Sequence, residues 1–145
     1  MARDRYRLRP DARRFENWET NYATKIGLGV AIDYALKWSL EAIWSRISAL
    51  ATTLRAQLDT LRGVTVWDLG IERCGIVSFT VDAKSPKEIR YTLAQQSINV
   101  SVSTLNSTRL DMDARGITEL VRASVHYYNS EEEVERFCAA LASVL

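Results

Sequence analysis

The hydrophobic period of this chain first changes at Gly63, from helical to two-residue, and that change does most to fix which folds are open to it. Before Gly63, Ile43, Ile47, Leu50, Leu54, Leu58 and Leu61 recur at helical spacing and predict an amphipathic helix. The stretch ahead of it, IGLGVAIDYALKW, is apolar nearly all round, which predicts a helix buried on most sides. Gly27 and Gly29 each cost about 1 kcal/mol against alanine inside a helix, so another backbone is expected to pack close there. Ser39 followed by Glu41 reads as a cap and a first turn. The expectation is two helices, about residues 21–38 and 40–61, the second closed by Arg62-Gly63.

After Gly63 the pattern alternates. VTVWDL (64–69) and GIVSFTV (75–81) read as strands joined by a polar turn around residues 70–73. Ser85, Pro86 and Glu88 supply a cap, a first-position proline and a capping-box acid for a helix with Ile89, Leu93 and Ala94 on its buried face. INVSVS (98–103) alternates, with Ile98, Val100 and Val102 inward and Asn99, Ser101 and Ser103 outward. TLNSTRLDMDARG reads as a loop, its Arg109, Asp111, Asp113 and Arg115 either solvated or a lid over the sheet. ELVRASV (119–125) is a fourth strand. Asn129-Ser130 then caps a last helix whose Val134, Phe137, Leu141 and Val144 face the core.

The order α-α-β-β-α-β-β-α is satisfied by an α+β two-layer sandwich: a mostly antiparallel four-stranded sheet with helices on one face. On the fourth strand Arg122 and Ser124 point away from Val121, Ala123 and Val125, with His126 in phase just beyond. The polar sides of the strands then form one surface with a lone arginine among hydroxyls and amides. Two readings are open. That surface could receive a carboxylate, which guanidinium grips in two-pronged fashion, or it could be a wet sheet face.

Composition narrows the function. The chain has 145 residues, enough for one domain, and a net charge of +1. Residues 1–62 carry eleven Lys/Arg against seven Asp/Glu, mostly in the arm Arg3, Arg5, Arg7, Arg9, Arg13 and Arg14. Asp4 and Asp11 dilute that arm and no aromatic platform follows it, so nucleic-acid binding is not favoured. No apolar run approaches a bilayer span, and the polar start lacks a signal-peptide core. Cys74 and Cys138, with one histidine, make neither a disulfide framework nor a four-ligand zinc site. A reducing cytoplasm and free thiols are expected, with both cysteines as small core residues.

Four segments together, RRFENWETNYATKIGLGVAIDYAL, RGVTVWDLG, CGIVSF and VRASVHYYNSEEEVERF, resemble the C-terminal small domain of the class V aminotransferase family of PLP-dependent enzymes. Cysteine desulfurases and isopenicillin-epimerase-like proteins are members. The resemblance runs from about Arg13 to the C-terminus. It implies a fold type I enzyme, a homodimer, whose large domain carries the Schiff-base lysine and whose small domain closes over an amino-acid substrate. It also implies that Arg122, the arginine of R-A-S, holds the substrate carboxylate. The large domain is expected in cis or in trans, because none of Lys25, Lys37, Lys84 and Lys87 matches the Schiff-base lysine. On this reading residues 1–145 form one small domain with an entry arm at 1–19, and the chain is not catalytic alone. The alternative is a stand-alone, non-catalytic binding domain derived from the family.

Two departures stand out. Desulfurases carry a nucleophilic cysteine in the loop after the strand matching INVSVS, and SVSTLNSTRLDMDARG has none, which disfavours sulfur transfer. The glycine-threonine pair that reaches the PLP phosphate of the neighbouring subunit is replaced by Trp18 and Glu19. Thr20 and Asn21 are left as possible contacts to the cofactor pocket, and Trp18 packs either in the cleft or in a core or interface. His126 is either near the substrate carboxylate or a strand-end histidine bonded to backbone. Tyr127 and Tyr128 are expected to pack the last strand against the last helix.

Overall fold

The computed structural model describes residues 4–17 and 19–145, so the role expected of Trp18 lies outside the described residues. The chain forms two compact units, Met1–Ser39 and Leu40–Leu145.

In the first unit, Asp11 caps a short 3₁₀ turn, Ala12–Phe15, by accepting the Arg13 N–H at 3.1 Å. Helix α1 (Tyr22–Leu36) starts on Asn21, whose side chain accepts the Thr24 N–H at 3.0 Å. No α1 residue is buried, and the space beside Gly27 and Gly29 is open. This corrects the expectation of a helix buried on most sides with a backbone against its glycines. The physical reason is local: the first unit offers nothing large enough to cover an all-round apolar helix.

The second unit runs α2 (Leu40–Asp59), β1 (Val64–Val66), β2 (Ile76–Val81), α3 (Pro86–Gln95), β3 (Ser101–Thr104), α4 (Arg109–Ala114), β4 (Glu119–Ser124) and α5 (Glu131–Ala142). Ser39, ahead of α2, has φ 64°, in the left-handed region rather than the extended one usual for a cap. Gly63, φ 78°, supplies the left-handed turn between α2 and β1. Helices α3 and α5 both open on full capping boxes, Ser85 with Glu88 and Ser130 with Glu133.

The sheet order is β1-β2-β4-β3 and every pairing is antiparallel, as the α+β reading requires. Leu50, Leu54 and Leu58 of α2, Ile89 and Leu93 of α3, and Val134 and Leu141 of α5 bury one sheet face through Val77, Phe79 and Val121. Each such side chain contributes about 1.5–3 kcal/mol by leaving water. Gly75, just ahead of β2, is obligatory: a Cβ there would meet Ile47 Cγ2 at 2.5 Å and the Val125 carbonyl at 2.7 Å.

Several boundaries differ from the sequence expectation. Strand β1 ends at Val66; past a last main-chain bond from Trp67 to the Ser78 carbonyl, the Arg55 and Asp68 side chains take over the β2 edge. Strand β3 begins at Ser101, although Ile98 and Val100 still pack against the core. The expected loop after β3 contains α4, whose Met112 is 1% exposed against Ile117 and Leu120, with Trp67 and Leu105 alongside. Residues Leu120 and Ser103 are therefore buried on the face expected to be uniformly wet. Tyr128 is exposed rather than packed, stacked on His126 at 4.4 Å between ring centroids. Cys74 is also exposed, because β2 starts only at Ile76; Cys138 is buried as expected.

Candidate functional site

Arg122 sits at the middle of the sheet, in register with Ser78 of β2 on one side and Ser101 of β3 on the other. The Ser78 main chain points toward β1: its carbonyl accepts the Trp67 N–H at 2.8 Å and its N–H is held by Asp68 at 2.9 Å. Ser78 and Arg122 are therefore a pair of the kind without direct main-chain bonds, in which Cα atoms lie about 4.5 Å apart and side chains stand close. Alternation puts Ser78, Ser101 and Arg122 on the sheet face away from α2, α3 and α5.

Arg122 is half-buried and its guanidinium has no hydrogen bond or ion pair among the described residues. The other two half-buried arginines are both engaged. Arg46 pairs with Glu131 and donates to the Asn129 carbonyl at 2.9 Å, and Arg115 bonds Asp111 at 2.9 Å and the Trp67 carbonyl. The Arg115 guanidinium also lies over the Trp67 ring, 5.6 Å from its centroid. Arg115, Trp67 and Met112 thus anchor α4 on the same face as Arg122, two residues along β4 at Leu120. One side of Arg122 is walled and the other is open toward Ser124.

The remaining candidates are placed as follows. His126 is exposed just beyond β4, its main-chain N–H donated to Asn129 Oδ1 at 2.8 Å and its ring clustered with those of Tyr127 and Tyr128. Thr20 is half-buried and Asn21 exposed; both belong to the first unit, and the Asn21 side chain is committed to capping α1. Burial pushes the Cys138 thiol up to about 11, which makes it a poor nucleophile. Cys74 is exposed. Arg109 and Asp113, and Arg115 and Asp111, pair along α4 as i,i+4 partners rather than lying in a solvated loop.

Sequence reasoning missed a buried ion pair. Arg55 and Asp68, with side chains 6% and 9% exposed, meet at 2.8 Å. Arg55 also donates to the carbonyls of Cys74 at 2.7 Å and Ile76 at 3.1 Å. A signal was present: Arg55 lies among Ala51, Leu54 and Leu58, inside the apolar stripe of its helix rather than opposite it.

No described helix is long and apolar enough to cross a membrane. Among the described residues no three His, Cys, Asp or Glu gather as a metal site would need.

Fold and site together define an α+β sheet-and-helix module that presents, among its described residues, a half-buried arginine without a hydrogen-bond or ion-pair partner from the interior strand β4. The family model for aminotransferase class-V matches residues 2–137, and the chain belongs to that family. A probable cysteine desulfurase of Xylella fastidiosa strain 9a5c is 29% identical over 131 residues, 90% of this chain and 31% of that protein. The apo structure of cysteine desulfurase from Thermococcus onnurineus NA1 superposes with a TM-score of 0.83 at 31% identity, covering 99% of this chain and 36% of that one. C-DES is a cystine C-S lyase solved with its product cysteine persulfide and, as a mutant, with glycine covalently linked to the PLP cofactor. It gives TM-scores of 0.70 and 0.71 at 27% identity, covering 89% of this chain and 31% of that one. The chain thus spans about a third of the length of these relatives.

Proposed function

We propose that this chain is the C-terminal small domain of a PLP-dependent enzyme acting on an amino acid, and that Arg122 anchors the substrate carboxylate. On this reading residues 1–145 act as one domain with a large PLP-binding domain supplied in cis or in trans, and the complete enzyme is a homodimer. The single observation that carries it is the half-buried, unpaired guanidinium of Arg122 between Ser78 and Ser101. A partly desolvated cation without a partner is costly, and a carboxylate supplies the missing two-pronged partner.

The residues of this chain fit the substrate better than they fit the cofactor. No lysine lies in β2, β3 or β4, and Lys87 is paired with Glu119 at 2.6 Å. Asn21 is occupied as a cap, and Glu19 beside Thr20 would repel a phosphate. The large domain is thus left to hold PLP, which serves as the electron sink when bound. Arg122 holds the carboxylate and thereby sets how the substrate Cα bonds are turned. His126 stands at the open end of this surface, where it contacts the outer part of a substrate.

Transamination, epimerisation and elimination all fit such an anchor. Sulfur transfer through a thiol in the segment after β3 does not, since residues 101–116 hold no cysteine; Cys138 is buried, and the exposed Cys74 lies in a different segment, ahead of β2. The solved relative described as a cystine C-S lyase makes elimination the reading to try first.

The test is Arg122→Ala in the complete enzyme. Removing a charge-assisted pair should weaken amino-acid use about a hundredfold, with folding and PLP loading retained. Loss of folding and loading in parallel with activity would make Arg122 structural.

A further inference from the structure

Where β1 stops at Val66, strand β2 continues back to Ile76 with its main-chain edge uncovered. The Arg55–Asp68 pair fills that vacancy. Asp68 Oδ1 accepts the Ser78 N–H at 2.9 Å, while Arg55 Nη2 donates to the Ile76 carbonyl at 3.1 Å and the Cys74 carbonyl at 2.7 Å. The two side chains are tied to each other through Arg55 Nε and Asp68 Oδ2 at 2.8 Å. Three edge groups of residues 74–78 are thus satisfied by one buried ion pair instead of a neighbouring strand.

That segment is the one that flanks Arg122. Ser78 is the cross-strand neighbour of Arg122, and the Gly75 carbonyl accepts the Val125 N–H at 2.9 Å, three residues further on. Arg55 reaches β2 from α2, on the opposite sheet face from Arg122, so the pair cannot touch a ligand on the Arg122 side. An amphipathic helix normally places arginine in water; here the guanidinium is spent on holding one strand end in place.

We propose that Arg55 and Asp68 are positioning residues for the Arg122 site: they hold the β2 segment against which the guanidinium is aligned, and so set carboxylate affinity without contacting the ligand. This rests on the reading of Arg122 as a carboxylate anchor, and deepens it. A planar fork is needed, because only guanidinium bonds one carboxylate oxygen and two carbonyls in fixed directions.

The test uses the complete PLP enzyme that carries this chain, with L-alanine and ethylamine as probes that share the amine and differ by the carboxylate. Apparent Kd is read from the cofactor absorbance change for wild type, Asp68→Asn, Arg55→Lys and Arg122→Ala. Thermal stability should fall in the first two variants whatever their role, so it is not the deciding readout. If the pair positions Arg122, Asp68→Asn and Arg55→Lys weaken L-alanine about tenfold and leave ethylamine within about twofold, because sub-ångström misplacement acts only on the carboxylate contact. If the pair merely supports the fold, both probes weaken together or neither does, and the proposal is overturned. Failure of both variants to load PLP would assign the pair to folding alone and also overturn it. An unchanged L-alanine to ethylamine ratio in Arg122→Ala would instead remove the anchor reading itself, a separate outcome.

Discussion

Ser78 and Arg122 face each other across the β2–β4 ladder as a pair without direct main-chain bonds, with the Ser78 N–H held from behind by Asp68. The Arg122 side chain and the buried ion pair are therefore linked through a single residue of β2. The apolar core lies on one side of that link and the open polar face on the other.

The two cysteines should react very differently. Cys74 is exposed, whereas burial raises the Cys138 thiol to about 11. Iodoacetamide at pH 8 should modify Cys74 alone in the folded chain and both residues after denaturation, as read by peptide mass mapping. Native labelling of Cys138 at a rate matching Cys74 would contradict the core packing of α5.

Acid should loosen the contact between α2 and α5. The Arg46 guanidinium beside Glu131 holds its carboxyl down at about 2, well below the ordinary value. A carboxylate depressed in the folded state stabilises above its unfolded pKa, and that contribution is lost as pH falls toward the folded one. Arg46→Ala should therefore lower the urea midpoint at pH 7, and the gap to wild type should close between about pH 4.5 and pH 2. Serine hydrogen bonding in the capping box also depresses Glu88, so wild-type stability declines over the same range. A gap that persists at pH 2 would assign the Arg46 effect to packing rather than charge.

Gly75→Ala should destabilise by about 1–3 kcal/mol, the usual cost of forcing a methyl into a filled site. The new Cβ meets a side chain and a backbone carbonyl, Ile47 and Val125, and the carbonyl cannot swing aside. Ile47→Ala in the same chain should recover only part of the loss. Full recovery in a denaturant titration would show that the β2–β4 backbone approach is not limiting.

The isolated chain should self-associate. Tyr22, Ile26, Leu28, Val30, Ile32 and Tyr34 are all at least half exposed along α1. A patch of that kind drives association unless covered. Sedimentation velocity across a hundredfold concentration range should show a rising average mass. A strictly monomeric, highly soluble chain would contradict it.

The elements that sequence revealed best are those with local causes. Ser85-Pro86 and Ser130 carry their own caps, and both helices begin where those residues place them. The alternation of Val121, Ala123 and Val125 with Arg122 and Ser124 is likewise enough to put the arginine on the face away from the main core. Helix α4 was not legible, because six residues give no period and its stability comes from Met112 meeting Ile117 and Leu120. The Arg55–Asp68 pair was missed for a related reason: the two residues are thirteen apart, and only the tertiary fold brings them together. Helix α1 misled in the opposite direction. Its composition calls for burial, but its own unit does not provide it.

The most direct measurement is a structure of the complete enzyme with an amino acid bound. The account predicts two guanidinium N–H groups of Arg122 on the substrate carboxylate at about 2.7–2.9 Å, with Ser78 and Ser101 flanking. A carboxylate held by other residues, with Arg122 facing only water, would contradict it.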